Sequence, residues 1–238
     1  LNDSGIRRSF SEILAKYFKT NAFEGDSEYA KIIAWRNKTV SKMNGIIRNV
    51  IYGDAADISK ILIGEKLIAN NPVIQNGSIV LNTNDEFTVD SFRVLENEHR
   101  VIISDHPDAD PLTVSLKYYD TIVTYLDDED DLVRVGIDIL HEDSENEFLK
   151  VSNLLKLRAI GNKGRNKSWI AYYDFLRNYA DVSYAYSITA HKSQGSTYNT
   201  TFVLEDDIDM NIDIVERNRI KYTSYTRSSR KLYVLKRF

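Results

Sequence analysis

Residues 183–198 read SYAYSITAHKSQGSTY. The first half, Ser183–Thr189, is a short run of aromatic, β-branched and small side chains, the composition of a buried strand. The second half, Ala190–Tyr198, gathers hydroxyls, the Lys192 ammonium, the Gln194 amide and the small Gly195. A polar cluster directly after a buried strand is the pattern of an α/β layer. There ligands collect where loops leave the carboxyl ends of parallel strands, and a glycine lets the backbone approach them closely. Taken alone, the cluster also suits a plain strand-to-helix turn, and His191 suits a hydrogen-bonded structural histidine.

The same α/β texture extends in both directions. Downstream, Thr200–Leu204 and Lys231–Leu235 read as strands, with a helix predicted over Ile212–Arg227. Upstream, Lys31–Trp35 (KIIAW) reads as a short buried strand. It is followed by a helix whose stripe Val40, Met43, Ile47, Val50 and Ile51 faces inward while Lys38, Lys42 and Arg48 face outward. Asn37 is placed to cap that helix and Gly53 to end it. Ser9 and Glu12 form a capping box for a first helix with Phe10, Ile13, Leu14, Tyr17 and Phe18 on one face.

Between about residues 58 and 160 the texture changes. Short alternating runs, at Lys66–Ala69, Ser78–Asn82, Glu86–Val94, Val101–Ser104, Thr113–Leu116, Thr121–Leu126 and Leu132–Ile137, are separated by turn residues such as Asn76-Gly77 and Pro107–Pro111. The acidic Asp127–Asp131 lies between two such runs and reads as a hairpin tip. Lys163–Lys167 reads as a loop, and Trp169, Tyr172, Tyr173, Leu176 and Tyr179 follow at helical spacing. The predicted plan is an α/β domain made of residues 1–57 and 181–238, interrupted at 58–180 by a small antiparallel β-barrel with a returning helix.

Composition narrows the function classes. The chain has 238 residues, 42% hydrophobic and 28% charged, which excludes a disordered or fibrous protein. It has no Cys, so disulfides, thiolate metal sites and thiol nucleophiles are excluded. His99, His106, His141 and His191 lack ligand spacing, and no metal site is expected. No apolar run approaches the ~20 residues needed to cross a bilayer, and residues 1–5 do not resemble a signal peptide. The expectation is a soluble cytoplasmic protein with no membrane partner. The net charge of −4 hides a polarised chain: 104–147 carries 14 acidic and two basic residues, whereas 216–238 carries eight basic and one acidic. Such asymmetry permits a local anion site on an acidic molecule.

A second polar cluster, Tyr222–Arg230 (YTSYTRSSR), stands at a predicted helix end before the last strand. An arginine there offers a rigid fork of donors suited to phosphate oxygens, or simply favours the helix dipole. Neither GxxxxGK[ST] nor GxGxxG occurs in the sequence, so it lacks a main triphosphate cradle of its own.

Taken in order, three stretches resemble the late motifs of superfamily 1 helicases of the RecD-like, Dda-like branch. Lys31–Arg48 resembles motif IV. Ser187–Tyr198 resembles motif V with its TxHKxQG wording, and Tyr222–Arg230 resembles motif VI, usually YVAxTRA. The resemblance implies a second RecA-like domain, with parallel sheet and motifs IV to VI, carrying an inserted SH3-like β-barrel. It implies the C-terminal motor half of an ATP-dependent DNA helicase or translocase, 5′-to-3′ in polarity. This half would be inactive alone and complete only with a Walker-A-bearing first RecA-like domain.

Carried over by position, Arg227 matches the motif VI arginine that contacts the ATP γ-phosphate and acts as the catalytic finger. Gly195 and Gln194 fall with the nucleotide contacts. Arg36 is placed with them, although it does not align cleanly with the nucleotide-contacting arginine of other branches. Asn37, Thr189, His191 and Lys192 match or neighbour positions facing single-stranded DNA. ATP with Mg is the implied cofactor, bound jointly with the first domain. Thr223-Ser224-Tyr225 replace the usual small residues of motif VI and imply different packing there. The competing reading is a nucleic-acid- or protein-binding module derived from such a motor, against which the intact Gly195 and Arg227 speak.

Overall fold

The computed structural model describes residues 3–26, 28–104, 110–127, 129, 131–161 and 166–236; at 3–9 and 166 it describes the backbone alone. In chain order the elements are α1 (Asp3–Phe18), α2 (Asn21–Gly25), β1 (Ala30–Ala34), α3 (Asn37–Tyr52), β2 (Lys66–Ala69), β3 (Val73–Gln75), β4 (Ser78–Leu81), β5 (Glu86–Val101), β6 (Leu112–Leu126), β7 (Leu132–Leu140), α4 (Glu145–Gly161), α5 (Asn166–Leu176), β8 (Val182–Tyr184), β9 (Ser187–Thr189), β10 (Tyr198–Leu204), α6 (Glu205–Ile208), α7 (Ile214–Tyr225) and β11 (Ser228–Leu235). They form two units, residues 1–66 with 184–238, and residues 67–183.

The first unit is a RecA-like α/β layer. Its sheet runs β11-β10-β1-β9 with every pair parallel. All five residues of β1 are buried, because helices cover both faces. Ala30 and Ile32 pack with Leu14 and Phe18 of α1 and with Met43 and Ile47 of α3. Ile33 turns to the other side, against Val203, Ile208 of α6 and Ile220 of α7. Each fully buried Ile, Leu or Phe of this kind stabilises the layer by about 1.5–3 kcal/mol.

The second unit contains the antiparallel sheet. β5 pairs β6 from Thr88↔Thr124 to Val101↔Leu112, and β6 pairs β7 from Tyr118↔Leu140 to Leu126↔Leu132. The full strand order is β7-β6-β5-β2-β8, with β3 and β4 as a separate hairpin. That hairpin turns on Asn76 and Gly77, both with positive φ (50° and 80°), as a two-residue turn between right-twisted strands requires. At 127–131 the Asp127 carboxylate accepts the N–H groups of Glu129 and Asp131, each at 2.9 Å, closing the β6–β7 tip. α4 and α5 bury Val151, Leu155 and Phe175 against Val114 and Leu116 of β6.

Several local expectations need correction. The backbone is helical from Asp3, so Ser9 lies inside α1 rather than at its start. Arg36, not Asn37, occupies the cap position of α3, and no side chain of its own caps it. Arg48 is buried rather than outward-facing: its Nε is 2.7 Å from Glu65, and its guanidinium lies 4.8 Å from the Tyr184 ring. Burial pushes the Glu65 carboxyl up, against the pull of Arg48. Glu65 thereby fastens the 53–65 segment to α3, and the first unit extends to residue 66, beyond the expected boundary at 57.

The run 183–189 is two strands rather than one. β8 joins the antiparallel sheet and β9 the parallel one. Between them the Ala185 carbonyl accepts from the buried Lys31 ammonium at 2.7 Å, and the Tyr186 carbonyl accepts from Ile32 N–H at 3.1 Å. α4 was not foreseen at all. Pro107 and Lys163, in the expected turn and loop, lie outside the described residues, as does His106.

Candidate functional site

In the parallel sheet, β1, β9 and β10 end at one edge, with Ala34 beside Thr189 and Ile33 beside Val203. β10 and β11 begin at the other edge, where Tyr198 stands beside Ser228. A seven-residue strand separates the edges by about 20 Å. The 190–197 connection leaves the carboxyl edge after Thr189 and reaches the amino edge at Tyr198, so one short segment touches both.

Its path is held by its own polar groups. Ala190 N–H donates to Ala34 O at 2.8 Å, fixing the segment's start on β1. Ser193 N–H returns to Thr189 O at 3.1 Å, and the buried Ser193 hydroxyl donates to Ala190 O at 2.8 Å. Thr189 is itself buried and its hydroxyl accepts Lys192 N–H at 3.3 Å. His191, Gln194 and Gly195 are exposed and Lys192 is half-buried. Gly195 has φ of +88°, a conformation that side-chain-bearing residues rarely adopt.

Arg227 lies at the amino edge, just past α7. Its carbonyl accepts Tyr198 N–H at 2.8 Å. Its guanidinium donates to Thr223 O through Nε and to Ser196 O through Nη1, both at 3.1 Å, and to the Thr226 hydroxyl through Nη2 at 3.1 Å. All three acceptors are neutral, and among the described residues no carboxylate pairs with it. The positive charge is therefore held in position without being neutralised, which suits a phosphate oxygen. The structure thus brings together the end of the 190–197 segment and Arg227. Gln194 stands nearby, lining an open cleft of about 610 Å³ with Val215, Asn218, Arg219, Tyr222 and Thr223.

Arg36 is not brought to that edge. It follows β1 at the carboxyl edge, where Asp207 of α6 engages it. One Asp207 oxygen accepts the N–H groups of Trp35 and Arg36, both at 2.9 Å. The other accepts Arg36 Nε at 2.7 Å and the Thr39 hydroxyl at 2.6 Å. Burial works to raise the Asp207 pKa, but these four donors hold it below the usual carboxylate range. Asn37 opens α3 at the same edge, three residues after Ala34, the register partner of Thr189. Sequence reading missed Asp207 and the Ser196 carbonyl. The run Glu205–Asp207 directly after a buried strand was the available signal for the first, whereas a backbone acceptor leaves no trace in residue type.

A further network fixes α7. Glu205 accepts Lys221 at 2.6 Å and Lys236 at 3.1 Å. Burial and Glu205 push the Tyr225 hydroxyl up to about 12. Among the described residues no group of three or more His, Asp or Glu is placed to hold a metal ion.

Comparison with known proteins bears on the same segments. Residues 184–235 match the UvrD-like helicase C-terminal domain. The chain is 25% identical over 224 residues to the ATP-dependent DNA helicase dda of Enterobacteria phage T4, covering 91% of this chain and 49% of that protein. It is also 25% identical over 271 residues to uncharacterized protein R530 of Acanthamoeba polyphaga mimivirus, covering 97% of this chain and 54% of that protein. The chain therefore spans about half the length of the curated relatives it matches. Among solved structures, Pif1 helicase from Candida albicans aligns at a TM-score of 0.41 and 15% identity, covering 88% of this chain and 45% of that one. Pif1 helicase from Bacteroides in complex with ADP-AlF3 and ssDNA aligns at 0.37 and 12%, covering 93% and 44%. The chain is thus similar to superfamily 1 helicases of the Dda type, with a match to a helicase C-terminal domain over its last quarter.

Proposed function

We propose that the chain is the C-terminal motor half of an ATP-dependent DNA helicase or translocase. It acts with a first RecA-like domain that carries the phosphate-binding loop. The observation that carries this reading is Arg227, a half-buried guanidinium fixed by three neutral acceptors and open to an anion. Its fit to phosphate is the reason to place the ATP γ-phosphate there. ATP with Mg, held jointly with the first domain, supplies the phosphoryl bond whose cleavage drives movement. Arg227 stabilises charge on the transferring group, a contribution of about 10³–10⁵ in rate in related phosphoryl-transfer systems.

Gly195 lets the motif V backbone approach the same phosphate, and Gln194 stands at its side. At the carboxyl edge the exposed His191, with Asn37 and Lys192, contacts the backbone of a single DNA strand. Thr189 acts one step removed, because its hydroxyl holds Lys192 N–H. We assign Arg36 to this strand edge rather than to the nucleotide, since Asp207 secures it there. The 190–197 segment then ties the two ligands mechanically: a shift at Ser196 is passed along seven residues to Thr189.

The test is turnover by the protein assembled with its phosphate-binding domain. Arg227→Ala is expected to lower DNA-stimulated ATP hydrolysis at least about 10³-fold while nucleotide binding changes little. Unchanged turnover overturns the assignment.

A further inference from the structure

Strand aromatics of the second unit are spent on packing. Phe87 and Tyr119 are buried, and Phe92 meets Tyr119 edge-on at 5.3 Å. α5 presents a different set. Trp169 and Tyr173, one helical turn apart, have rings stacked at 6.0 Å and 28°. Tyr172 closes against both, 5.9 Å from Trp169 and 5.1 Å from Tyr173. Tyr172 also packs against the core cluster around Val114 and Phe175, so the group is anchored from beneath. Tyr173 is 48% exposed and opens it to solvent.

Exposed Lys167 stands in the first turn of α5, exposed Ile170 follows it, and exposed Arg177 comes directly after the helix end. Lys167 has no acidic partner among the described residues. Among the described residues Arg177 is paired with Asp174 alone, at 3.9 Å, an exposed pair of little worth. The surrounding sequence is one-sided in charge: residues 150–177 contain seven Lys and Arg and one acid, Asp174, in a chain whose net charge is −4. A ring face combined with unneutralised cations complements a ligand that is polyanionic and carries flat bases.

We propose that α5 is a stacking platform for a single-stranded nucleic acid, built of Trp169, Tyr172 and Tyr173 and flanked by Lys167 and Arg177. The platform lies in the second unit and stands independently of the roles assigned to motifs IV to VI.

Trp35 and Trp169 are the two tryptophans of the chain, so Trp35→Phe leaves Trp169 as the indole reporter. Titration of that variant at low salt with oligothymidylate, and separately with oligouridylate, should quench Trp169 emission in step with the anisotropy of the labelled strand. Tyr173→Ala, removing one ring, should weaken binding about fivefold or more. Lys167→Gln with Arg177→Gln, both at exposed positions, should lower the slope of log affinity against log salt by about 1.4, ~0.7 per phosphate. Trp169 lies in the other unit from residues 190–197, so its quench reports on the platform itself; this separates failure of the motif V assignment from failure of the platform. Strand binding that leaves Trp169 emission unchanged, or no strand binding at low salt, overturns the proposal and points the face to a protein partner. An unaltered salt slope in the double glutamine variant overturns it as well.

Discussion

Arg227 differs from the carboxylate-paired cations of its unit in what holds it. Arg36 is paired with Asp207, Arg48 with Glu65, and Lys221 with Glu205 and Asp209, each within 2.7 Å. Those three charges are neutralised at home and serve the fold. Arg227 rests on two carbonyls and a hydroxyl, and its charge is left for a ligand. Beside it, Gly195→Ala meets no atom within 4 Å, yet its φ of +88° is strained for any side chain. The substitution should cost about 1–2 kcal/mol in urea unfolding, with no cavity or clash involved.

Asp207→Asn removes two charge-assisted acceptor sites and should cost about 1.5–3 kcal/mol at neutral pH. The pH dependence has a definite sign. A carboxylate whose folded pKa is depressed stabilises fully above its unfolded pKa of about 3.9, and that stability is lost as pH falls through the folded value. Midpoints of thermal unfolding between pH 6 and 2 should therefore fall less steeply in the variant than in the parent. These residue-scale placements were partly legible. Residue type and order pointed to Arg227 and Gly195, but which arginine is neutralised depends on Asp207 arriving from 171 positions away along the chain.

At the scale of elements, the buried strands and amphipathic helices read well because burial imposes their periods. β1, covered on both faces, appears in the sequence as an unbroken apolar run around Lys31. The division between β8 and β9 was hidden, since seven residues of one texture change sheets through hydrogen bonds to Lys31 and Ile32. α4 was hidden for a different reason. Val151, Leu155 and Ala159 do recur at helical spacing, but they follow a long β-rich stretch whose texture masks them. The Arg48–Glu65 pair shows the same limit: on a helix face Arg48 reads as solvated, and only the returning 53–65 segment buries it. Arg48→Met, which strands a buried carboxylate, should cost about 3–5 kcal/mol in urea unfolding. Adding Glu65→Leu should restore most of it, because a buried ion pair and a packed apolar pair are of comparable stability.

The whole molecule is two units, one a parallel α/β layer with polar segments at both edges of its sheet, the other an antiparallel sheet with a helix pair. The chain spans about half of the relatives it matches. On our account the missing function lies in a second domain that brings phosphate to the amino edge, and Arg227 acts only once it does. The most direct measurement compares the assembled protein with its Arg227→Ala variant for binding of ADP with aluminium fluoride, a mimic of the transferring phosphoryl group, against ADP alone. The variant should hold ADP within about tenfold of the parent while losing about 10³-fold or more of the extra affinity for the mimic. A variant that binds the mimic as tightly as the parent contradicts the account.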